Sequence, residues 1–590
     1  MLRPMANLFA VADPDPGVLD RIEERLAGSG EFDVVWRPAP GWLVAQATMP
    51  DSEADRERVR SLGFAFAEGR DRLQGGHGLD SLKRVAKLSD RSPHRLAELP
   101  GDFGFLRFQP DGAALAVRSC GGLVPVYLRP RGDRGFAVGT LLNYFPRFLP
   151  ERLFPDPLVN ATWVRIYPAA FIDDRTFVDG VSILPRGSYA ELVPGRAPRI
   201  GRYWDPRPDD GEGPQPSPEH APELRRILIE TLERDLDAEG RNVLMLSGGV
   251  DSSALGALIA GTLGRGLSSW SMIPAVEPGR SLELSYIEPL VSRFGIHPAR
   301  KHELTEELHR RWISAAPGLP FQILHPALCD LPNLCAEEDL RVIVSGMFAD
   351  EVCGDSQRLN DWALHTSLRS LLSREPLPFG RRDYLRWAKR RVREAVGRPR
   401  VPADELDGWA PPEVESEYQD WVHRYRTALA RDHRPLRELA ARASGDAWVA
   451  MYWEAAAPLG VRPSLPFFNR EVLELAFRCH PRELLGPGPK RLLREALRDD
   501  VPARNLLRPD RGMWTGHHAR GRWALDGALP AAADDVVRSD WVRHPPADVP
   551  FMQGYRLTAA IRVAKSLRDA GSLMQNSSAT FARPPVSGIR

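Results

Sequence analysis

The chain has little cysteine, little lysine and almost no net charge. Its five cysteines among 590 residues are Cys120, Cys329, Cys335, Cys353 and Cys479. None forms a CxxC pair, which excludes a zinc ribbon and a disulfide scaffold and makes a reducing cytoplasm the expected setting. No apolar run reaches the roughly 18 residues that span a bilayer. The N-terminal apolar stretch is too short for a signal peptide. Lys+Arg total 79 against 78 Asp+Glu, a net charge of +1. That balance argues against a chain built to coat nucleic acid or an anionic membrane. Only Lys83, Lys87, Lys301, Lys389, Lys490 and Lys565 are lysines, so 73 basic residues are Arg. Together with 54 Pro and 49 Gly, the skew reads as codon bias, yet it makes a well-placed lysine conspicuous.

What is present suffices for large cores: 43% of residues are apolar and 27% charged. The length exceeds what one core supports, so more than one folding unit is expected. Residues 1–204 read as a β-rich unit. Phe32–Val35, Trp42–Ala47, Phe103–Phe108, Ala114–Arg118, Val124–Leu128 and Gly135–Val138 are β-rich runs divided by Gly, Pro and Asp. Residues 205–222, rich in Pro, Asp, Glu and Gly, read as a linker. Residues 223–570 read as an α/β unit. Leu224, Ile227, Leu228, Leu232 and Leu236 recur at helical spacing, and Asn242–Leu246 is a short apolar run suited to a buried strand. A helical stretch, Ser252–Leu263, follows, and Arg341–Ser345 is a further strand candidate. Strands alternating with helices predict a parallel sheet, with mainly helical pattern from Trp362 onward. Residues 571–590 read as a disordered tail.

The chemistry sits in two segments. Leu246–Ser253 reads LSGGVDSS between a strand and a helix. Gly248 and Gly249 let the backbone approach an anion, the helix start offers unpaired N–H groups, and Ser247, Ser252 and Ser253 add hydroxyls. Asp251 would repel an anion unless a cation lay between, and Mg²⁺ meets that need. The Walker pattern GxxxxGK[ST] is absent here. Ser345–Asp355, SGMFADEVCGD, follows the second strand and places Ser345, Gly346, Asp350 and Glu351 at the sheet's carboxyl edge, where ligands bind in open α/β folds. Asp350 would then face Asp251 as a second Mg²⁺ ligand.

Together these segments resemble the synthetase domain of asparagine synthetase-type enzymes, which split ATP between the α- and β-phosphates. Tyr286–Gly295 resembles the helix after that family's adenine-contacting strand, here Ser269–Ile273, which implies adenine near Met272. RPSLPFFN (Arg462–Asn469) is loosely similar to the family's R-x-PFLD element. KRLLRE (Lys490–Glu495) resembles its K-x-x-L-R-E helix, whose Lys faces the reacting centre. RPDRGM (Arg508–Met513) resembles its RxKxGF loop, with Asp510 in place of Lys, and implies that Arg508 and Arg511 contact pyrophosphate. LPGDFGFL (Leu99–Leu106), RSCGGLVPVY (Arg118–Tyr127), ILPRG (Ile183–Gly187) and RYW (Arg202–Trp204) look like a glutaminase-type Ntn domain. The implied architecture is therefore a β-rich Ntn-hydrolase-like sandwich followed by an adenine nucleotide α-hydrolase-like, pyrophosphate-loop domain.

The first unit departs from that glutaminase. The family needs Cys at position 2, whose α-amine serves as base; here position 2 is Leu2, and FAEGR (Phe66–Arg70) stands where the substrate loop should lie. This reads as a degenerate domain that releases no ammonia. An amine of the substrate itself would then close the amide, as in β-lactam synthetases or lasso peptide cyclases. Met347 stands where asparagine synthetases carry an acid, and β-lactam synthetases rely on a catalytic Tyr. A thioether holds no transferable proton. The overall resemblance is strongest to lasso cyclases. It implies ATP and Mg²⁺, a precursor peptide as substrate, and a leader peptidase and leader-binding protein as candidate partners. Lys490 would stabilise the tetrahedral intermediate, with Asp350 and Glu351 beside it. A small-molecule amide cyclase and an ammonia-dependent asparagine synthetase are the alternatives. The Arg-rich run Arg381–Arg400 reads as a solvated helix rather than an RNA-binding surface. The adjacent pair His517 and His518 point apart and make no metal site.

Overall fold

The computed structural model describes residues 7–47, 64–68, 93–99, 101–159, 174–206, 216–275, 277–305, 308, 327–354, 412–431, 443–480, 483–484, 490–508, 522–524 and 548–550. The N-terminal half is two antiparallel sheets. The first has strand order β2-β3-β1-β8-β7-β9, from β1 (Leu8–Ala12), β2 (Val34–Trp36), β3 (Trp42–Gln46), β7 (Tyr127–Pro130), β8 (Phe136–Gly139) and β9 (Ser182–Ile183). The second, β11-β10-β6-β5-β4, uses β4 (Phe64–Glu68), β5 (Phe103–Phe108), β6 (Ala114–Arg118), β10 (Ser188–Leu192) and β11 (Arg199–Arg202). In β10 the alternation is plain: Ser188, Ala190 and Leu192 are buried while Tyr189 and Glu191 are half-exposed. Strands β1 and β3 are buried along their whole length. The Pro16–Ser29 helix packs on β3, burying Leu19, Ile22 and Leu26, with Asp15 capping its start and Gly30 (φ 67°) ending it. The rings of Trp42 and Phe108 meet between the layers, 5.2 Å apart.

Runs Phe103–Phe108 and Ala114–Arg118 form the strands expected of them, whereas the one placed at Val124–Leu128 begins at Tyr127. Strand β1 and the Pro16–Ser29 helix were not legible: LFAVA lacks alternation because both of its faces are covered. Phe66–Glu68 of FAEGR lie in β4, which pairs with β5 from Phe64↔Arg107 to Glu68↔Phe103; Gly69 and Arg70 lie outside the described residues.

The second half opens with the His220–Asp235 helix, which starts inside the segment read as linker and buries Leu224, Ile227, Leu228 and Leu232 as one stripe. A five-stranded parallel sheet follows: β12 (Asn242–Met245), β13 (Ser268–Pro274), β14 (Ala299–Leu304), β15 (Val342–Val344) and β16 (Arg462–Ser464), in the order β14-β13-β12-β15-β16. The chain steps outward from β12 through β13 to β14, then returns to the other side for β15 and β16. Strand β12 therefore sits at a topological switch point, where a crevice opens at the carboxyl edge. The N-terminal sheets pack against the second half through its Ala443–Ala456 and Arg470–Arg478 helices. Asn7 Oδ1 accepts from Trp453 Nε1 (2.9 Å), Leu142 N–H donates to Glu454 Oε1 (2.6 Å), and Trp204 Nε1 donates to Glu474 Oε1 (2.8 Å).

Candidate active site

The LSGGVDSS loop leaves β12 at the switch point. Leu246 is buried and its N–H reaches Trp270 O (2.9 Å), which keeps the chain in the sheet for one more residue. Gly248 then turns with φ 68°; a Cβ there would lie 2.7 Å from the Tyr286 Cβ, so only glycine fits. Gly249 caps the Val250–Gly256 helix, which continues as a π-helical turn through Thr262. Ser252 Oγ accepts from Ser247 N–H (3.1 Å) and lies 3.1 Å from Ser247 Oγ, which folds the loop back on its helix. Ser253 is buried on that helix.

The second loop leaves the neighbouring strand β15. Gly346 packs directly on the first: a Cβ would be 3.0 Å from Asp251 Cβ and 3.2 Å from Ser252 N. Ser345 Oγ pairs with Tyr452 Oη (2.9 Å) and accepts from Met347 N–H (3.3 Å). Phe348, at φ 70°, swings the chain into the Ala349–Cys353 helix, which carries Asp350 and Glu351. Lys490 comes from a third segment, held by its N–H on Gly354 O (2.8 Å). Its ammonium bridges the two loops, donating to Asp251 Oδ2 and lying 2.6 Å from Asp350 Oδ1.

Electrostatics follow from this burial. Desolvation pushes the Asp251 carboxyl up to about 6, against the pull of Lys490 and with the push of Asp350. The two carboxylates hold Lys490 above the usual lysine range despite its own desolvation. Asp251 Oδ1 is buried without a hydrogen-bond partner among the described residues. Two converging carboxylates, one with an orphaned oxygen, fit an oxygen-seeking cation such as Mg²⁺.

The loops are braced from behind. Arg508, buried, makes a two-pronged pair with Glu283 (2.7 and 3.0 Å), lies over the Tyr286 ring and donates to Ser247 O (3.3 Å). Asn505 Nδ2 donates to Gly248 O (3.2 Å), Tyr286 O (3.0 Å) and Ser253 Oγ (3.4 Å). Thus Ser247, Gly248, Gly249, Asp251, Ser252, Ser253, Ser345, Gly346, Asp350 and Lys490 gather at one edge, and Arg508 stands behind them. Met272 lies in β13, partly buried. Arg511, Arg381–Arg400, His517, His518, Leu2 and the tail lie outside the described residues. Asn505, Glu283 and Tyr452 were missed as site residues, and no local motif marks them; Tyr286 opens the Tyr286–Gly295 segment but was not read as a site residue. Cys120, Cys335, Cys353 and Cys479 are no activated nucleophiles, since burial pushes the Cys120 thiol up to about 12 and raises the other three as well.

Residues 223–577 match the family model described as asparagine synthase. No curated protein matches. Among solved structures, the U34-tRNA thiolase NcsA from Methanococcus maripaludis, with its 4Fe-4S cluster, is similar at 16% identity over 39% of this chain and 88% of that one. Its TM-score of 0.19 is too low to bear on the reaction here.

Proposed function

From the premise that the chain belongs to the asparagine synthase family, and is thus an ATP-dependent ligase, we propose that it is an AMP-forming macrolactam synthetase of the lasso cyclase type. The observation that carries the ATP chemistry is the Asp251–Lys490–Asp350 bridge across the switch-point crevice. ATP is the substrate whose phosphates the Ser247–Ser253 loop would receive on its backbone N–H groups and hydroxyls. A Mg²⁺ ion held by Asp251 and Asp350 would neutralise charge on the departing pyrophosphate.

The precursor's Asp or Glu carboxylate attacks the α-phosphorus and expels pyrophosphate, leaving an acyl-adenylate. The peptide's own α-amine attacks the acyl carbon, loses a proton to solvent and expels AMP. Lys490 is the cation beside the tetrahedral oxyanion and the phosphate. Met347, whose N–H is tied to Ser345, offers no proton-transfer group, which suits an amine with a pKa of about 8 that needs little help. Glu351 shares the helix of Asp350, and Met272 lies on the strand proposed to face adenine. Leader peptidase and leader-binding protein are the proposed partners, since the amine must be freed before closure.

The test is to incubate the purified chain with ATP, Mg²⁺ and a leader-free lasso-type precursor peptide that carries a free N-terminal amine and an internal Asp or Glu. Loss of one water from the peptide together with stoichiometric AMP is expected, and Asp251→Ala should abolish both. Conversion of aspartate and ammonium to asparagine instead would overturn the peptide reading in favour of an ammonia-dependent synthetase.

A further inference from the structure

We propose that Arg186, in the β-rich half, is a positioning residue for Asp350, so that the first half helps set the geometry of the metal-binding carboxylates. The inference rests on the ATP-site reading above. Arg186 follows β9 in the ILPRG segment and is buried. Its guanidinium carbon lies 4.3 Å from the centroid of Phe468, in the turn after β16. Phe468 stacks on Phe348, with centroids 4.0 Å apart and planes 27° apart. Both rings are buried. An arginine, a ring and a second ring thus form one continuous stack from the N-terminal half to the residue before the Asp350 helix.

Phe348 is where the stack acts. Its backbone is left-handed, φ 70° and ψ −4°, a conformation that a bulky residue rarely adopts and that persists only where surrounding packing imposes it. That turn sets the direction in which the Ala349–Cys353 helix leaves β15, and hence where Asp350 meets Lys490 and Asp251. The far end of the helix is held separately, by Lys490 N–H on Gly354 O. Arg186 is itself backed: Gly122, at φ 69°, packs so closely that a Cβ would fall 2.1 Å from Arg186 Cγ. The stack is therefore wedged between the Ser119–Gly122 loop and the site, with little room to relax.

The test is Mn²⁺ binding, read by electron paramagnetic resonance in the presence of an ATP analogue that cannot be cleaved between the α- and β-phosphates. Arg186→Met keeps the aliphatic stem and removes the cation. It should weaken Mn²⁺ affinity roughly tenfold, with Arg186→Lys restoring part of the loss, because an ammonium also binds a ring face. Phe348→Leu should weaken it similarly and covers the case in which Arg186→Met fails to fold. Melting temperatures are recorded in parallel. Variants that lose melting temperature but bind Mn²⁺ as the unaltered protein does would overturn the proposal, leaving Arg186 a packing residue. Asp350→Asn is the control. If it too binds normally, the metal site itself is refuted and the proposal goes with it.

Discussion

Lys490 shows how far single residues could be read in advance. Its rarity and the KRLLRE pattern singled it out, but the pattern put it on a helix face. It actually precedes the Arg491–Ala496 helix, with φ 59°, a left-handed backbone unusual outside Gly, Asn and Asp. That turn lets the side chain run back toward two loops rather than out along the helix. Because its ammonium contacts both Asp251 and Asp350, its removal should act on chemistry more than on folding. Lys490→Met is expected to lower the AMP-forming rate at saturating ATP by roughly a hundredfold to a thousandfold. The protein should stay folded by circular dichroism. A rate within threefold of the unaltered protein would remove Lys490 from the mechanism.

At the scale of elements, the site depends on two loops leaving adjacent parallel strands. The strand–loop–helix order was legible from Asn242–Leu246 and LSGGVDSS, because both are local patterns. The packing of one loop on the other was not, because β12 and β15 are brought together by the sheet alone. Gly346 is the contact point. Gly346→Ala would put a methyl 3.0 Å from Asp251 Cβ, and the loops must part by a few tenths of an ångström. Overpacking of that kind costs about 1–3 kcal/mol. A loss of at least tenfold in kcat/KM for ATP is expected, with the melting temperature only slightly lowered; unchanged kcat/KM would show that the loops have slack. Arg508 was read as a pyrophosphate contact from its loop motif. Its guanidinium pairs with Glu283 and donates to Ser247 O, which braces the backbone of the Ser247–Ser253 loop. Glu283 is a partner 225 residues earlier, which no local motif could supply.

For the whole molecule, the interface between the halves contains a second perturbed acid. Burial pushes the Glu454 carboxyl up to about 8, although the Leu142 N–H and the Tyr127 side chain favour its charge. A carboxyl whose folded pKa is raised supports the fold fully below its unfolded value of about 4.5 and loses that support as pH rises toward about 8. The melting temperature should therefore fall between pH 5 and pH 8. Glu454→Gln, which can still accept from Leu142 N–H, should flatten that decline and melt higher than the unaltered protein at pH 8.5. Parallel pH curves for the two proteins would exclude Glu454 as the source. The same interface brings Asn7, at the start of β1, against Trp453, so the first residues of the described fold are tied into the second half.

The sequence alone determined the two-part α/β and antiparallel-β character, the glycine-rich strand–loop–helix turn and the identity of the acids and the lysine. Each of these is written in a short stretch, where hydrophobic period, glycine placement and helix starts act over a few residues. Tertiary structure decided which of them meet. The switch point that aligns Asp251 with Asp350, the Glu283–Arg508 pair, the triple hold of Asn505 and the Arg186–Phe468–Phe348 stack join residues far apart in the chain. Their pairing depends on sheet order and packing, which no local pattern records.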